Sequence, residues 1–503
     1  MALSIRTCTI AFSLIAMTAI PTFLSAQDGG DKSNPQPRYR LIDLGTFGGP
    51  NSSIVNGPPL LKALNNSGTV VGTAETATSD PYQPDCISPG CAVTHTFRWQ
   101  NDALTDLGAL PGVNGSIPVW VNELGLIAGA SENGSIDPLT GFPETDAVIW
   151  RNGTITNLGT FGGSSSLALS VNDWGQVVGG ATNDIPDNNS SAQPFLFFPV
   201  ATQYRAFLWQ SGKMRDLGTL GGDDAVAALI NDFGQIAGAS YTNTTPNPTT
   251  GVPTLDPFLW QNGKMFDLGT LGGTSGYPNW LNIWGEVVGQ SKLAGDKFVH
   301  PFLSRGGRPM TDLGTLGGNT GQAFWINDVG QVVGQADLPG SGTQLHHGFL
   351  WQQGRMKDLG TVDGDPCSRA LSINLRGHVV GASTNCTEFL HAFLWESGVM
   401  YDLNALVPPG SGLTLTVGWD INDRGEITGD AFLANGDEHA FLAVPCEDDD
   451  PADCKNTPAT VVTTPSNQGS LMRPATSVES GNQVRMRFGR QYNGARVLGA
   501  PTN

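Results

Sequence analysis

The chain has 503 residues, with 26 basic against 45 acidic side chains and a net charge of −19. Such a surface repels nucleic acid and anionic membranes, which excludes both as expected partners. Only 14% of the residues are charged and 66 are glycine, a balance that suits short strands joined by tight turns.

In chain order, residues 1–26 read as a secretory signal peptide: Arg6, an apolar run from Ile10 to Leu24, then Leu24-Ser25-Ala26 for cleavage. No later stretch reaches the roughly 20 apolar residues that a membrane span needs. The expected product is secreted, extracellular or periplasmic, with residues 27–37 a flexible lead-in. Of seven cysteines, Cys8 lies in the signal. The other six fall into local couples, Cys86 with Cys91, Cys367 with Cys386, and Cys446 with Cys454. A structural metal would need four clustered ligands, so the couples read as disulfides and no metal is expected.

From residue 38 to 444 one pattern recurs eight times. An apolar strand runs into Asn-x-x-Gly, as at Asn122-Glu-Leu-Gly125, Asn172-Asp-Trp-Gly175 and Asn327-Asp-Val-Gly330. Asn bonds the turn backbone and Gly tolerates positive φ, so this is a hairpin. A second strand such as Val332-Val-Gly334 follows, then a loop of variable length and a third strand such as Phe349-Leu-Trp351. A tip like Gln261-Asn-Gly-Lys264 leads to a fourth strand ending in Asp-Leu-Gly, as at Asp216, Asp267, Asp312 and Asp358. The expected fold is all-β, an eight-bladed β-propeller with four strands per blade. Tyr39-Arg-Leu-Ile-Asp-Leu-Gly45 is a fourth strand without a preceding three, and the eighth copy stops after Phe441-Leu-Ala443. The opening strand is therefore expected to close the last blade, which removes an exposed edge. Residues 445–503 read as a low-complexity tail with a weakly basic end.

The His391-Ala-Phe393 and His439-Ala-Phe441 entries, the Asp-Leu-Gly-Thr-Leu-Gly-Gly segments at Asp216, Asp267 and Asp312, and the Ile-Asn-Asp-x-Gly turns resemble the extracellular HAF repeat family. The resemblance spans about residues 39 to 444. It implies an exported bacterial repeat protein and assigns no activity.

His95, His300, His347, His391 and His439 share one slot before the third-strand Phe. Equal slots on neighbouring blades lie on the order of 10 Å apart, too far for a shared metal. The lone Asp before each Leu-Gly reads as a backbone cap rather than a calcium ligand. Ten of the twelve tryptophans read as core, and Trp174, Trp284 and the equivalent Phe233 read as exposed tips. Loops between second and third strands are long in the first four copies only. They carry Tyr82, Phe142, Phe197, Tyr204 and Tyr241, the expected ligand contacts. No residue set reads as catalytic, and no cofactor is implied. The function read from the sequence is a secreted binding module for an extracellular glycan, peptide or protein. A propeller hydrolase or lyase acting on polysaccharide, and an envelope structural protein, remain as alternatives.

Overall fold

The structure, a computed structural model, describes residues 37–54, 62–88, 90–187, 201–248, 250–306, 308–340 and 345–446, with Cys454, Thr460 and Val461. The expected signal peptide, Phe197 and nearly all of the tail lie outside the described residues. The rest is antiparallel β-structure with one short 3-10 turn, Leu403–Ala405. Its strands form seven hydrogen-bonded sheets that follow one another in chain order and pack face to face, as in a β-propeller. Most are four-stranded meanders, such as Gly321–Ile326, Val332–Asp337, His346–Gln352 and Arg355–Asp358. The longest has eight strands because two meanders are joined at one parallel pair, Leu255 opposite Ser275.

The repeated residues explain the meander. The third-strand phenylalanines Phe97, Phe207, Phe258, Phe302, Phe349, Phe393 and Phe441 are all fully buried. Six of these rings, all but Phe349, lie against the second-strand glycine of their own sheet, for instance Phe393 against Gly381 and Phe441 against Gly429. A methyl group there would collide with that ring and with a first-strand carbonyl, that of Arg369 beside Gly381. Glycine is kept here for close approach, not for turn geometry.

Sequence pattern gave no hint of a second regularity. In seven first strands the ladder shifts register just before the turn, as between Pro118 and Trp120, Pro278 and Trp280, or Gly418 and Asp420. A bulge of this kind bends the strand and re-aims the side chains that follow. Trp120, Trp280 and Trp325 thereby stack on one another, although they come from the second, fifth and sixth copies.

The turn asparagines do more than cap. Each Oδ1 accepts from its own turn, as Asn122 does from the N–H groups of Leu124 and Leu126. Each Nδ2 donates to the backbone carbonyl of the next copy's asparagine, at 2.9 to 3.3 Å. The series runs Asn65, Asn122, Asn172, Asn231, Asn282, Asn327, Asn374, Asn422, and Asn422 donates to Asn65. All eight side chains are buried, so each amide is both desolvated and satisfied.

The opening strand Tyr39–Asp43 pairs antiparallel with Glu438–Pro445, Leu41 opposite Ala443 and Asp43 opposite Phe441. Two departures from the repeat support this seam. In the first copy the N–H groups of Ile54, Ala63 and Leu64 are taken by carboxylates of the eighth copy. Asp430 accepts from Ile54 at 2.7 Å, and Asp420 accepts from Ala63 and Leu64 at 3.2 and 3.1 Å. Asp420 stands where Trp280 and Trp325 stand in other copies, and burial pushes its carboxyl up to about 6. The three expected disulfides are formed, Cys86–Cys91, Cys367–Cys386 and Cys446–Cys454.

Candidate functional site

The Asp-Leu-Gly aspartates cap the backbone and also latch the third strand. Asp358 Oδ1 accepts from Gly360 N at 2.8 Å while His347 Nδ1 lies 2.9 Å away. The same pairing joins His95 to Asp106, His300 to Asp312, and Arg205 to Asp216. His391 departs from it, pairing with Asp365 at 2.8 Å. Among the described residues no group of three or more His, Cys, Asp or Glu side chains could hold a metal ion.

One latch crosses the seam: His439 Nδ1 is 2.8 Å from Asp43 Oδ1. Burial opposes the charged imidazole, but the hydrogen bond and charge of Asp43 outweigh it and raise His439 above its ordinary value. A raised folded pKa contributes stability that is complete below the unfolded value of 6.5 and lost as pH rises through the raised one. His439→Gln is expected to cost about 1 kcal/mol at pH 5.5 and much less at pH 9. Thermal unfolding of both proteins at the two pH values checks this, and an equal loss at both would contradict it.

The expected loop-face contacts do not form one surface. Tyr204 and Tyr241 are buried, which corrects their placement as exposed ligand contacts. The Tyr204 ring fills the space beside Gly180, where a β-carbon would otherwise sit. Tyr241 packs with Ala239 and Leu255. Tyr82 and Phe142 are half-buried, and the Tyr82 hydroxyl donates to Asn114 Oδ1 at 3.3 Å. Carboxylates gather beneath these loops. Burial, then the charge of Asp80, pushes Glu132 up to about 7 against the Gly115 N–H that holds it down. Asp224 is raised to about 7 by burial and by Asp187, with which it shares a hydrogen bond.

The opposite face, which carries the Asn-x-x-Gly turns, is organised differently. Its turns place Leu124, Trp174, Phe233, Trp284 and Val329 in five successive copies, each 61 to 76% exposed. The indole N–H of Trp174 donates to Asp232 O and that of Trp284 to Asp328 O, both at 2.8 Å. The two rings are therefore fixed across the neighbouring turn rather than free. One residue earlier in the turns lie Glu123, Asp173, Asp232, Asp328 and Asp423. They surround a cavity of about 350 Å³ that is also lined by Lys62 and the stacked Trp120, Trp280 and Trp325. Lys62 Nζ pairs with Glu123 Oε1 at 2.5 Å. A neighbouring cavity of about 510 Å³ includes Asp328, Val329, Arg305 and Trp351. Burial and then Asp232 raise the Asp173 carboxyl, and burial with Asp423 and Asp232 raises Asp328.

Exposure of Trp174, Trp284 and Phe233 was expected; Leu124, Val329 and the carboxylates were missed. The signal was present in the sequence. Turn chemistry asks nothing of the third turn residue, yet it is apolar in five consecutive copies.

No family model matches the sequence, and no curated protein matches it. Among solved structures, the chain is similar to the β-propeller domain of the trilobed protease from Pyrococcus furiosus. The two share 12% identity at a TM-score of 0.38, over 71% of this chain and 97% of that one. It is also similar to Porphyromonas gingivalis dipeptidyl peptidase 4, at 9% identity and TM-score 0.39, over 83% of this chain and 60% of that one. Trypanosoma rangeli sialidase matches at 10% identity and TM-score 0.31, over 81% and 58%. Likeness at this level carries no argument about activity.

Proposed function

We propose that this chain is an exported, closed, eight-bladed propeller of the HAF-repeat type that acts as a binding module, taking its ligand on the turn face. Counting the eight-stranded sheet as two blades gives eight, in step with the eight turn asparagines. Export is supported by the leading apolar run and by three local disulfides. Among the described residues no helix is long and apolar enough to cross a membrane.

The observation that carries the binding role is the exposed apolar arc from Leu124 to Val329 around a carboxylate-lined mouth. Solvent-facing apolar side chains at five consecutive turns do nothing for the core, and the three central ones, Trp174, Phe233 and Trp284, are aromatic anchors of the kind that dominates interface energies. Their fixed indoles lose little freedom when a partner docks.

The test is a panel of extracellular glycans and peptides titrated against the full chain, then against Trp174→Ala/Trp284→Ala. A ligand that binds the native chain is expected to lose at least tenfold in affinity, about 1.4 kcal/mol. Ligands indifferent to the double substitution, or measurable turnover of a bound polysaccharide, would sink the reading.

A further inference from the structure

We infer that the turn face has an intramolecular occupant: the arginine-rich segment of this chain's own C-terminal end, residues 484–496. The inference rests on the reading of the turn face as a ligand surface and names what occupies that surface before an external ligand arrives.

Charge complementarity is the first argument. Beyond Val461 the chain carries five arginines (Arg473, Arg485, Arg487, Arg490 and Arg496) against one acid, Glu479, although its net charge is −19. Three of those arginines alternate with apolar side chains in Val484-Arg-Met-Arg-Phe-Gly-Arg-Gln-Tyr492. The turn face offers the complement, Glu123, Asp173, Asp232, Asp328 and Asp423 inside an arc of apolar tips. Lys62, which pairs with Glu123, leaves these carboxylates in excess. Their mutual repulsion, added to burial, raises Asp173 and Asp328, and guanidinium groups would relieve it.

Where the described chain ends is the second argument. Pro445 lies against Gly425, the last residue of the eighth turn, so the chain leaves its final strand on the turn side. Cys446 N then donates to Arg38 O, and Thr460–Val461 pairs parallel with Ala103 and Leu104, beside the Asn101-Asp102 tip on the same face but running away from it, so the following residues must turn back to reach the mouth. Thr460–Val461 is the outermost of five strands in its sheet, so four spacings of ~4.8 Å, roughly 19 Å, separate it from the inner strand. A random coil of 22 residues, the number between Val461 and Val484, has a root-mean-square span of about 26 Å, longer than that distance. A tether of that length holds the segment at an effective concentration on the order of millimolar, so weak intrinsic affinity suffices for occupancy.

The experiment uses the full chain with a photo-reactive benzoylphenylalanine in place of Phe488. Irradiation is expected to join residue 488 within the same molecule to peptides containing Leu124, Trp174, Phe233 or Trp284. The yield should fall at least tenfold in Arg485→Glu/Arg487→Glu/Arg490→Glu, and likewise in Asp173→Asn/Asp232→Asn/Asp328→Asn. Cross-links to the loop face, to a second copy of the chain, or with a yield indifferent to both sets of substitutions would overturn the inference. If external ligands remain sensitive to Trp174 and Trp284 while the segment cross-links elsewhere, only the self-occupancy fails. If the segment cross-links to the turns while external ligands ignore those tryptophans, the binding-module reading fails instead.

Discussion

Removing residues 37–45 is expected to leave a chain that aggregates or unfolds below about 37 °C. Tyr39, Leu41, Ile42 and Leu44 are all 3% exposed or less. Burial of such side chains stabilises by about 1.5 to 3 kcal/mol each, so together they approach the 5 to 15 kcal/mol that holds a typical domain. The deletion also uncovers the edge of Glu438–Pro445, with Phe441, Leu442 and Ala443 along it, and removes Asp43 from His439. An unpaired apolar edge templates association with a second chain. Size-exclusion chromatography and thermal unfolding check the expectation. A monomer with unchanged Tm would mean that the opening strand is an accessory.

The second large effect is expected from one methyl group. Gly381→Ala places a β-carbon in contact with the Arg369 carbonyl and the Phe393 ring, both fixed by the ladder on either side. Overpacking in a well-packed interior costs about 1 to 3 kcal/mol when side chains can shift, and here a backbone carbonyl must shift too. A loss at the top of that range or beyond is expected, with the Tm falling accordingly. Gly398→Ala is the control: its φ of +91° strains any substituted residue. Among the described residues other than its two chain neighbours, the one heavy atom within 4 Å of its β-carbon is the end of the flexible Lys357 side chain, at 3.8 Å. A smaller loss there, near the ~1 kcal/mol of a left-handed residue, separates steric collision from backbone strain. Equal losses at the two sites would show that Phe393 does not lock the sheet.

The architecture was legible because its determinants are local and repeated. Asn-x-x-Gly, Phe-Leu-Trp and Asp-Leu-Gly each fix one turn or strand end within a few residues, and the orphan strand at Tyr39 announced its partner at Phe441. What stayed hidden depends on neighbours. The Nδ2 bond from Asn172 to Asn231 spans 59 residues and leaves no trace in either turn. The bulge before Trp280 shifts the ladder without altering composition. Tyr204 and Tyr241 were misplaced because strands buried on both faces show no alternation, so a tyrosine near a strand end, third in Thr202–Gln210 or last in Ile236–Tyr241, reads like one in a loop. One cue existed: Gly180, which follows Gly179, occupies a position held by Ala130, Ala239 and Ala382 in other copies, and its missing β-carbon leaves room for the Tyr204 ring. Asp420 and Asp430 looked like ordinary acidic residues. Their role lies in accepting from backbone N–H groups of the first copy, Ile54 and Ala63, more than 350 residues away.

That the two ends of the repeat array zip together is the premise beneath the blade count, the turn face and its occupant. Amide hydrogen exchange of the intact chain, followed by mass spectrometry, reads it directly. Tyr39–Asp43 should be protected as long as Glu438–Pro445, because the two strands share one ladder. Exchange of the opening strand within seconds, while the strands before it in the ladder stay protected, would contradict the account.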